Sequence, residues 1–336
     1  MASRFLFTML SVFTILGCST DKLDVDVSDV ELEMSFERFE EQMFIAQSPS
    51  EMTEINAELI EKGGELYEFY VYEMLRSGSV YDDSIGDYLY YFVSDSIMKM
   101  AAQDIKGEFG DFESDQESIL EMFKRLKYHL PNAPLPDGLI TYNSAFNYGV
   151  ISTDKKIGLG LDMYLGELNR LIAELGFPVY MKEKMSHEYM LADIAHSWLA
   201  TNVLGDPTSE TFLSKMIYYG KLRYFIDAMN PNLADHLKIR YSEEEFDFCV
   251  ASEYDVWQYL LDMDWMYSTD MKVSLRFFEE SPTTVGIEGS PGRLGQFMGW
   301  RMVQQYMDKN EEVTLEELLN ETKESKFLKT YKPEDE

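Results

Sequence analysis

A hydrolase that holds zinc on a helix needs two histidines four residues apart with a glutamate between them. Both imidazoles then face one way, and the acid activates the metal-bound water. Residues 186–227, SHEYMLADIAHSWLATNVL followed by MIYYGKLRYFID, have the matching outline of two helices joined by a loop. His187-Glu188 is the obvious start, but the next histidine is His196, nine positions on. At about 100° per residue that places it on the opposite side of a continuous helix. A better register is Ala192-Asp193-Ile194-Ala195-His196, with an acid and the second histidine in place and alanine where the first would stand. The third ligand, often an acid just ahead of a glycine on the following helix, is replaced by Tyr219 in Ile217-Tyr218-Tyr219-Gly220-Lys221. One ligand of three remains, and a catalytic zinc site needs about three protein donors. Asp193, His196 and Tyr219 therefore read as a vestigial site with no metal, cofactor or catalytic residue. His196 is expected to be half-buried and bonded to a local carbonyl or carboxylate.

Other chemistry-bearing residues form no stronger pattern. Glu253 and Asp255 near Trp257, and Asp262 and Asp264 near Trp265, have the residue types for paired-acid glycosidic chemistry. Such pairs arise readily in an acidic, aromatic-rich chain, and residues two apart on a helix do not face each other. Cys249, between Phe248 and Val250, reads as a buried thiol. Gly158 and Gly160 alternate with Leu159 and Leu161, which suits a strand closely approached by another backbone. They lack the lysine and helix start of a phosphate loop.

The elements that must position these residues follow from composition and pattern. With 336 residues, 45% hydrophobic and 14% aromatic, the chain can build a substantial core. Its 61 acidic against 29 basic residues exclude the electrostatic footprint of a nucleic-acid binder. Residues 1–17 read as an export signal: Arg4, then an apolar run too short to span a membrane, ending Ile15-Leu16-Gly17-Cys18. That ending predicts lipidation of Cys18, hence a membrane anchor without a span, and leaves Cys249 without a disulfide partner. Residues 18–34 read as a solvated acidic tether able to pair as an edge strand. One globular unit, 35–330, follows, with a helical part over 35–130 and a core over 131–330. Residues 138–152 and 155–166 predict a β-hairpin or two adjacent strands turning at Thr153-Asp154-Lys155. Ser242 is expected to cap one helix, and Ser290 to cap another beginning at Pro291. Gly295 and Gly299, four apart on that second helix, predict a close-packed neighbour.

Taken together, the Cys18 ending, IGLGLDMYLG, DIAHSWL, MIYYGKLRYF, Glu253 with Trp257 and above all GSPGRLGQFMGWRMVQQYM make the chain resemble the gliding motility lipoprotein GldB family of Bacteroidetes. The resemblance covers about residues 30–332 and is most specific in PGRLGQFMGW. It implies a cell-envelope lipoprotein, anchored in the outer membrane, whose partners are proteins of the gliding and secretion machinery. The family is similar in layout to zinc peptidases of the gluzincin type. The expected fold is therefore α+β and predominantly helical: a degenerate zincin-like core, a short hairpin or sheet and an N-terminal helical part. The expected function is non-catalytic, with a zinc-dependent hydrolase or a peptide- or glycan-binding lipoprotein as alternatives. Exposed rings at Trp198, Tyr218 and Tyr219 would favour the last of these.

Overall fold

In the computed structural model, which describes residues 22–110 and 112–333, four short strands form one sheet. They are β1 (Ser35–Arg38), β2 (Gly138–Tyr142), β3 (Val150–Ser152) and β4 (Lys156–Gly160), in the order β1-β2-β4-β3. β2 runs parallel to both β1 and β4, and β3 closes on β4 as an antiparallel hairpin through Thr153-Asp154-Lys155. The hairpin was legible; the first strand was not. Ser35–Arg38 was expected to open a helical region, but its four residues find a ready-made parallel edge at Gly138–Thr141, about a hundred positions later.

The sheet separates two cores because successive side chains on a strand point to opposite faces. Leu139, Ile157 and Leu159 face the larger core, and Ile140 and Tyr142 face a smaller one. The glycines of β4 lie on the smaller core's side, where a Cβ on Gly158 would meet the Tyr142 ring at 2.8 Å. A Cβ on Gly160 would meet the Tyr148 carbonyl at 2.1 Å, as expected of a strand approached by another backbone.

The longer helices are α1 (Pro49–Gly63), α2 (Ile85–Ser94), α3 (Ser96–Phe109), α4 (Glu113–His129), α5 (Met190–Trp198), α6 (Phe212–Met229), α7 (Glu243–Ala251), α8 (Glu253–Asp262), α9 (Met271–Phe278) and α10 (Leu294–Lys309). The architecture is α+β and predominantly helical. α1 and α2 cover the smaller core, and α4 to α10 build the larger. α6 is its axis: fifteen of its eighteen residues are buried, so the helix is enclosed on nearly all sides. α10 crosses it at glycine. A Cβ on Gly220 would lie 2.2 Å from the Gly299 carbonyl oxygen, and one on Gly299 would lie 1.8 Å from that of Met216. Gly295 instead admits the Phe278 ring of α9. Beside the crossing, Trp300 donates its indole N–H to Asp227 at 2.6 Å, and Lys238 pairs with the same carboxylate at 3.2 Å.

Ser242 caps α7 with a full capping box, as expected. The start of α10 differs: the helix begins at Leu294, not Pro291, and Arg293 is its N-cap in the left-handed region, φ 58°. Ser290 is spent inside the preceding loop, donating to the Ile287 carbonyl at 2.8 Å and accepting from Thr284 N–H at 3.3 Å.

The acidic segment before β1 is also different from the solvated tether expected. From Lys22 it lies against the body, with Leu23 and Val27 buried. Lys22 bonds the Met307 carbonyl at 2.8 Å, Arg125 donates to Val25 at 2.8 Å and pairs with Asp24 at 3.2 Å, and Lys127 donates to Glu31 at 2.7 Å. Its valines and leucine supply the buried face that its carboxylates obscure in the sequence. Residues 1–17 and Cys18, the predicted signal and lipidation site, lie outside the described residues.

Candidate functional site

Asp193 and His196 lie one turn apart on α5, so their side chains share a face. Asp193 accepts from the Tyr164 hydroxyl at 2.8 Å and from the Arg240 guanidinium. Arg240 reaches it from a left-handed backbone, φ 60°, and also donates to the Lys184 carbonyl at 3.2 Å. Burial alone would lower Arg240, but Asp193, Tyr164 and Glu280 outweigh it and hold the guanidinium above its ordinary value.

Two further arginines act electrostatically on His196. Arg223, on the enclosed face of α6, is 1% exposed; it donates to the Lys238 carbonyl at 2.7 Å and to Gln296 Oε1 at 2.6 Å. Gln296 is fixed in turn by its amide, which donates to the Phe278 carbonyl at 2.6 Å. Arg293, at the start of α10, donates to Glu280 at 2.7 Å. Burial first, then Arg223, Arg293 and Arg240, hold the His196 imidazole well below its ordinary value, so it is neutral at neutral pH.

The expected carbonyl or carboxylate partner for His196 is therefore corrected. Among the described residues its ring makes no hydrogen bond, because its charged neighbours are cations and the nearby acids are engaged with them. Tyr219 stacks on Phe278, ring centroids 5.3 Å apart and 17° between planes. Burial and Glu279 push its phenol up, while Arg223 and Arg293 oppose them. Asp193 is thus ion-paired with Arg240, and His196 and Tyr219 both lie in the positive field of Arg223 and Arg293. The available signal was Arg223 itself, a basic residue between Leu222 and Tyr224 in an apolar helix of an acidic chain.

The remaining candidates are engaged elsewhere. His187 sits in a separate turn before α5 and bonds Asp115 at 2.7 Å. That bond, opposed by burial, raises its pKa. Glu253 accepts from Arg301 at 2.7 Å and from the Tyr331 hydroxyl at 2.8 Å, pinning the C-terminal tail. Cys249 is fully buried, and burial pushes its thiol up. Trp198 is fully buried, its indole donating to the Pro134 carbonyl at 3.0 Å, while Tyr218 and Tyr219 are partly exposed. Among the described residues no group of three or more His, Cys, Asp or Glu is placed to hold a metal ion.

Comparison with known proteins gives one result that spans this geometry. The family described as gliding motility protein GldB matches residues 20–333, which include both cores, Asp193, His196 and Tyr219, and the α6–α10 crossing. No curated protein and no solved structure matches the chain. Nearly the whole sequence is accounted for by that single family, and the chain belongs to the GldB family of gliding motility proteins.

Proposed function

We propose that the chain is a lipid-anchored, non-catalytic accessory of the gliding-associated envelope machinery. It is built on a degenerate zincin-like core and works by contact with partner envelope proteins. The observation that carries this reading is that the acid beside His196 is already spent: Asp193 is ion-paired with Arg240 and accepts from the Tyr164 hydroxyl. A cation at that imidazole would feel the positive field of Arg223, Arg293 and Arg240, and the carboxylates Asp193 and Glu280 are already ion-paired. Family membership supplies the link to gliding, and lipidation of Cys18 in the outer membrane supplies the attachment. Among the described residues no helix is long and apolar enough to cross a membrane.

The hydrolase alternative needs donors that these arginines displace. The peptide- or glycan-binding alternative loses its central ring, because Trp198 is enclosed in the core. The test is metal content by mass spectrometry of protein purified from native membranes, alongside capture of partners by the wild type and by Cys18→Ser. We expect sub-stoichiometric zinc that does not change in His196→Ala, and partner capture that weakens without the lipid. One zinc per chain, lost in His196→Ala, overturns the reading.

A further inference from the structure

We propose that the outer face of the helical segment 65–74, with Tyr81 and Tyr148 beside it, is a docking surface for a basic, arginine-bearing polypeptide. The inference rests on the reading that the chain works by contact with partner proteins, and it names the face and the chemistry of that contact.

The short α-helix Glu65–Phe69 runs directly into the π-helical turn Tyr70–Met74. One side of this segment is core: Leu66, Tyr67, Tyr70, Val71 and Met74 are buried in the smaller cluster. The two inner tyrosines find acceptors there, Tyr67 at Asn56 Oδ1 and Tyr70 at the Asn143 carbonyl, each at 2.9 Å. The outer side repeats the residue type without the burial. Tyr72 is 60% exposed and Phe69 38%, and Phe69 meets Tyr148, itself 37% exposed, edge to face with ring centroids 6.2 Å apart. Tyr81, 67% exposed, donates its hydroxyl to Glu68 at 2.7 Å, and Glu68 immediately precedes Phe69 and stands four residues before Tyr72. Four large rings are thereby held on one stretch of surface. Apolar side chains scattered singly over a surface need no explanation, but grouped rings with a polar rim mark a contact site.

That rim carries one sign of charge. Residues 65–83 contain five acids, Glu65, Glu68, Glu73, Asp82 and Asp83, against the single base Arg76. Among the described residues Glu65, Glu73 and Asp83 make no hydrogen bond or ion pair, so their charge is left uncompensated within the fold. The face of an aromatic ring is the negative part of its quadrupole, so rings and carboxylates favour the same visitor, a cation. Arginine suits both: its planar guanidinium stacks on a ring, and its fork of N–H donors bonds a carboxylate. Tyrosine and arginine also dominate the energetics of protein interfaces and tend to pair across them. The same charge disfavours other occupants. A second copy of this chain would approach with a net charge of −32 of its own, and an anionic lipid surface would be repelled.

The test uses the full chain in detergent and follows the fluorescence anisotropy of a dye-labelled, amidated octapeptide of alternating arginine and glycine. The ionic strength is held at about 0.15 M, where distant charges are screened. A glutamate–glycine octapeptide and an N-acetylglucosamine hexamer serve as comparisons. We expect wild type to bind the basic peptide and neither comparison. Tyr72→Ala with Tyr81→Ala, which changes no charge, should weaken binding by about tenfold, whereas Tyr72→Phe with Tyr81→Phe, which keeps the rings, should not. Glu311→Gln with Glu312→Gln removes two exposed acids after α10 and should leave binding unchanged. Should the alanine pair not fold, Tyr72→Ala alone, which breaks no hydrogen bond, carries the comparison with a smaller loss. Absence of peptide binding, wild-type affinity in the alanine variants, or an equal loss in the Glu311→Gln, Glu312→Gln pair overturns the proposal. Binding of the sugar hexamer in place of the peptide overturns it too and makes the rings a glycan platform. The peptide titration decides the surface whatever is captured from native membranes, so its failure is distinct from failure of the contact reading.

Discussion

The α6–α10 crossing makes a prediction whose sign is opposite to that of ordinary helix propensity. Gly→Ala inside a helix normally stabilises by about 0.5–1 kcal/mol, because glycine loses more chain entropy on folding. At Gly299 the added methyl would sit 1.8 Å from the Met216 carbonyl oxygen and 2.7 Å from its carbon, where ordinary contact begins at 3.4 Å. The obstacle is backbone, so no rotamer change relieves it. The two helices must part by more than an ångström, loosening Met216, Phe297, Met298 and Val303 in the larger core. Overpacking of this kind costs about 1–3 kcal/mol, and a backbone clash belongs at the upper end. After the propensity gain, Gly299→Ala should lose about 2 kcal/mol, which lowers the thermal midpoint by about 3 °C for a chain of this size. Gly107 is the control: it is exposed on α3 and an added Cβ there meets nothing within 4 Å. Gly107→Ala should gain about 0.5–1 kcal/mol by the same assay, thermal unfolding followed by circular dichroism. A Gly299→Ala midpoint equal to or above wild type would show that the crossing is looser than described.

Two other expectations concern buried titratable groups. His196 is neutral in the fold but titrates near 6.5 when unfolded, so below that pH only the unfolded chain takes up the proton and stability is lost as pH falls. From pH 6.5 to 5.5 wild type should lose about 1 kcal/mol relative to His196→Gln in urea titrations; a constant difference between them refutes the account. The comparison with the variant is needed because Asp162 and Asp227, both raised by burial to about 6, act in the opposite direction and regain stability as pH falls from 6 towards 3.8. Cys249, enclosed and with its thiol pushed up by burial, should resist a disulfide reagent in the native Cys18→Ser protein and react stoichiometrically once unfolded. Rapid native labelling would contradict its placement.

Much of the frame was legible because it is written in local signals. The Thr153-Asp154-Lys155 turn, the Ser242 capping box and the Gly295–Gly299 spacing each act through neighbours a few residues away. β1 was hidden because its partner strand is remote, and Ser290 was misread because its hydroxyl serves a loop fold that spacing does not reveal. At the site, Asp193, His196 and Tyr219 stand at ligand-like spacing in the sequence, whereas the arginines that act on them do not. Arg223, Arg240 and Arg293 come from three separate segments, and their contacts to Gln296, Asp193 and Glu280 are long-range, with the Arg240 and Arg293 backbones turning left-handed. No short window of sequence contains that information.

With the proposed lipid on Cys18, the strap formed by residues 22–34 would set how far the body could travel from a bilayer. Because Lys22 and Leu23 are already fastened, an acyl chain on Cys18 would be separated from the folded mass by the four peptide steps to Lys22, a contour of about 14 Å at full stretch. The headgroup layer takes up about 5–8 Å of that reach. The flank carrying Met307 would then ride close above the lipid surface, free to rock but unable to roam, and another molecule would have to approach sideways or from the opposite pole.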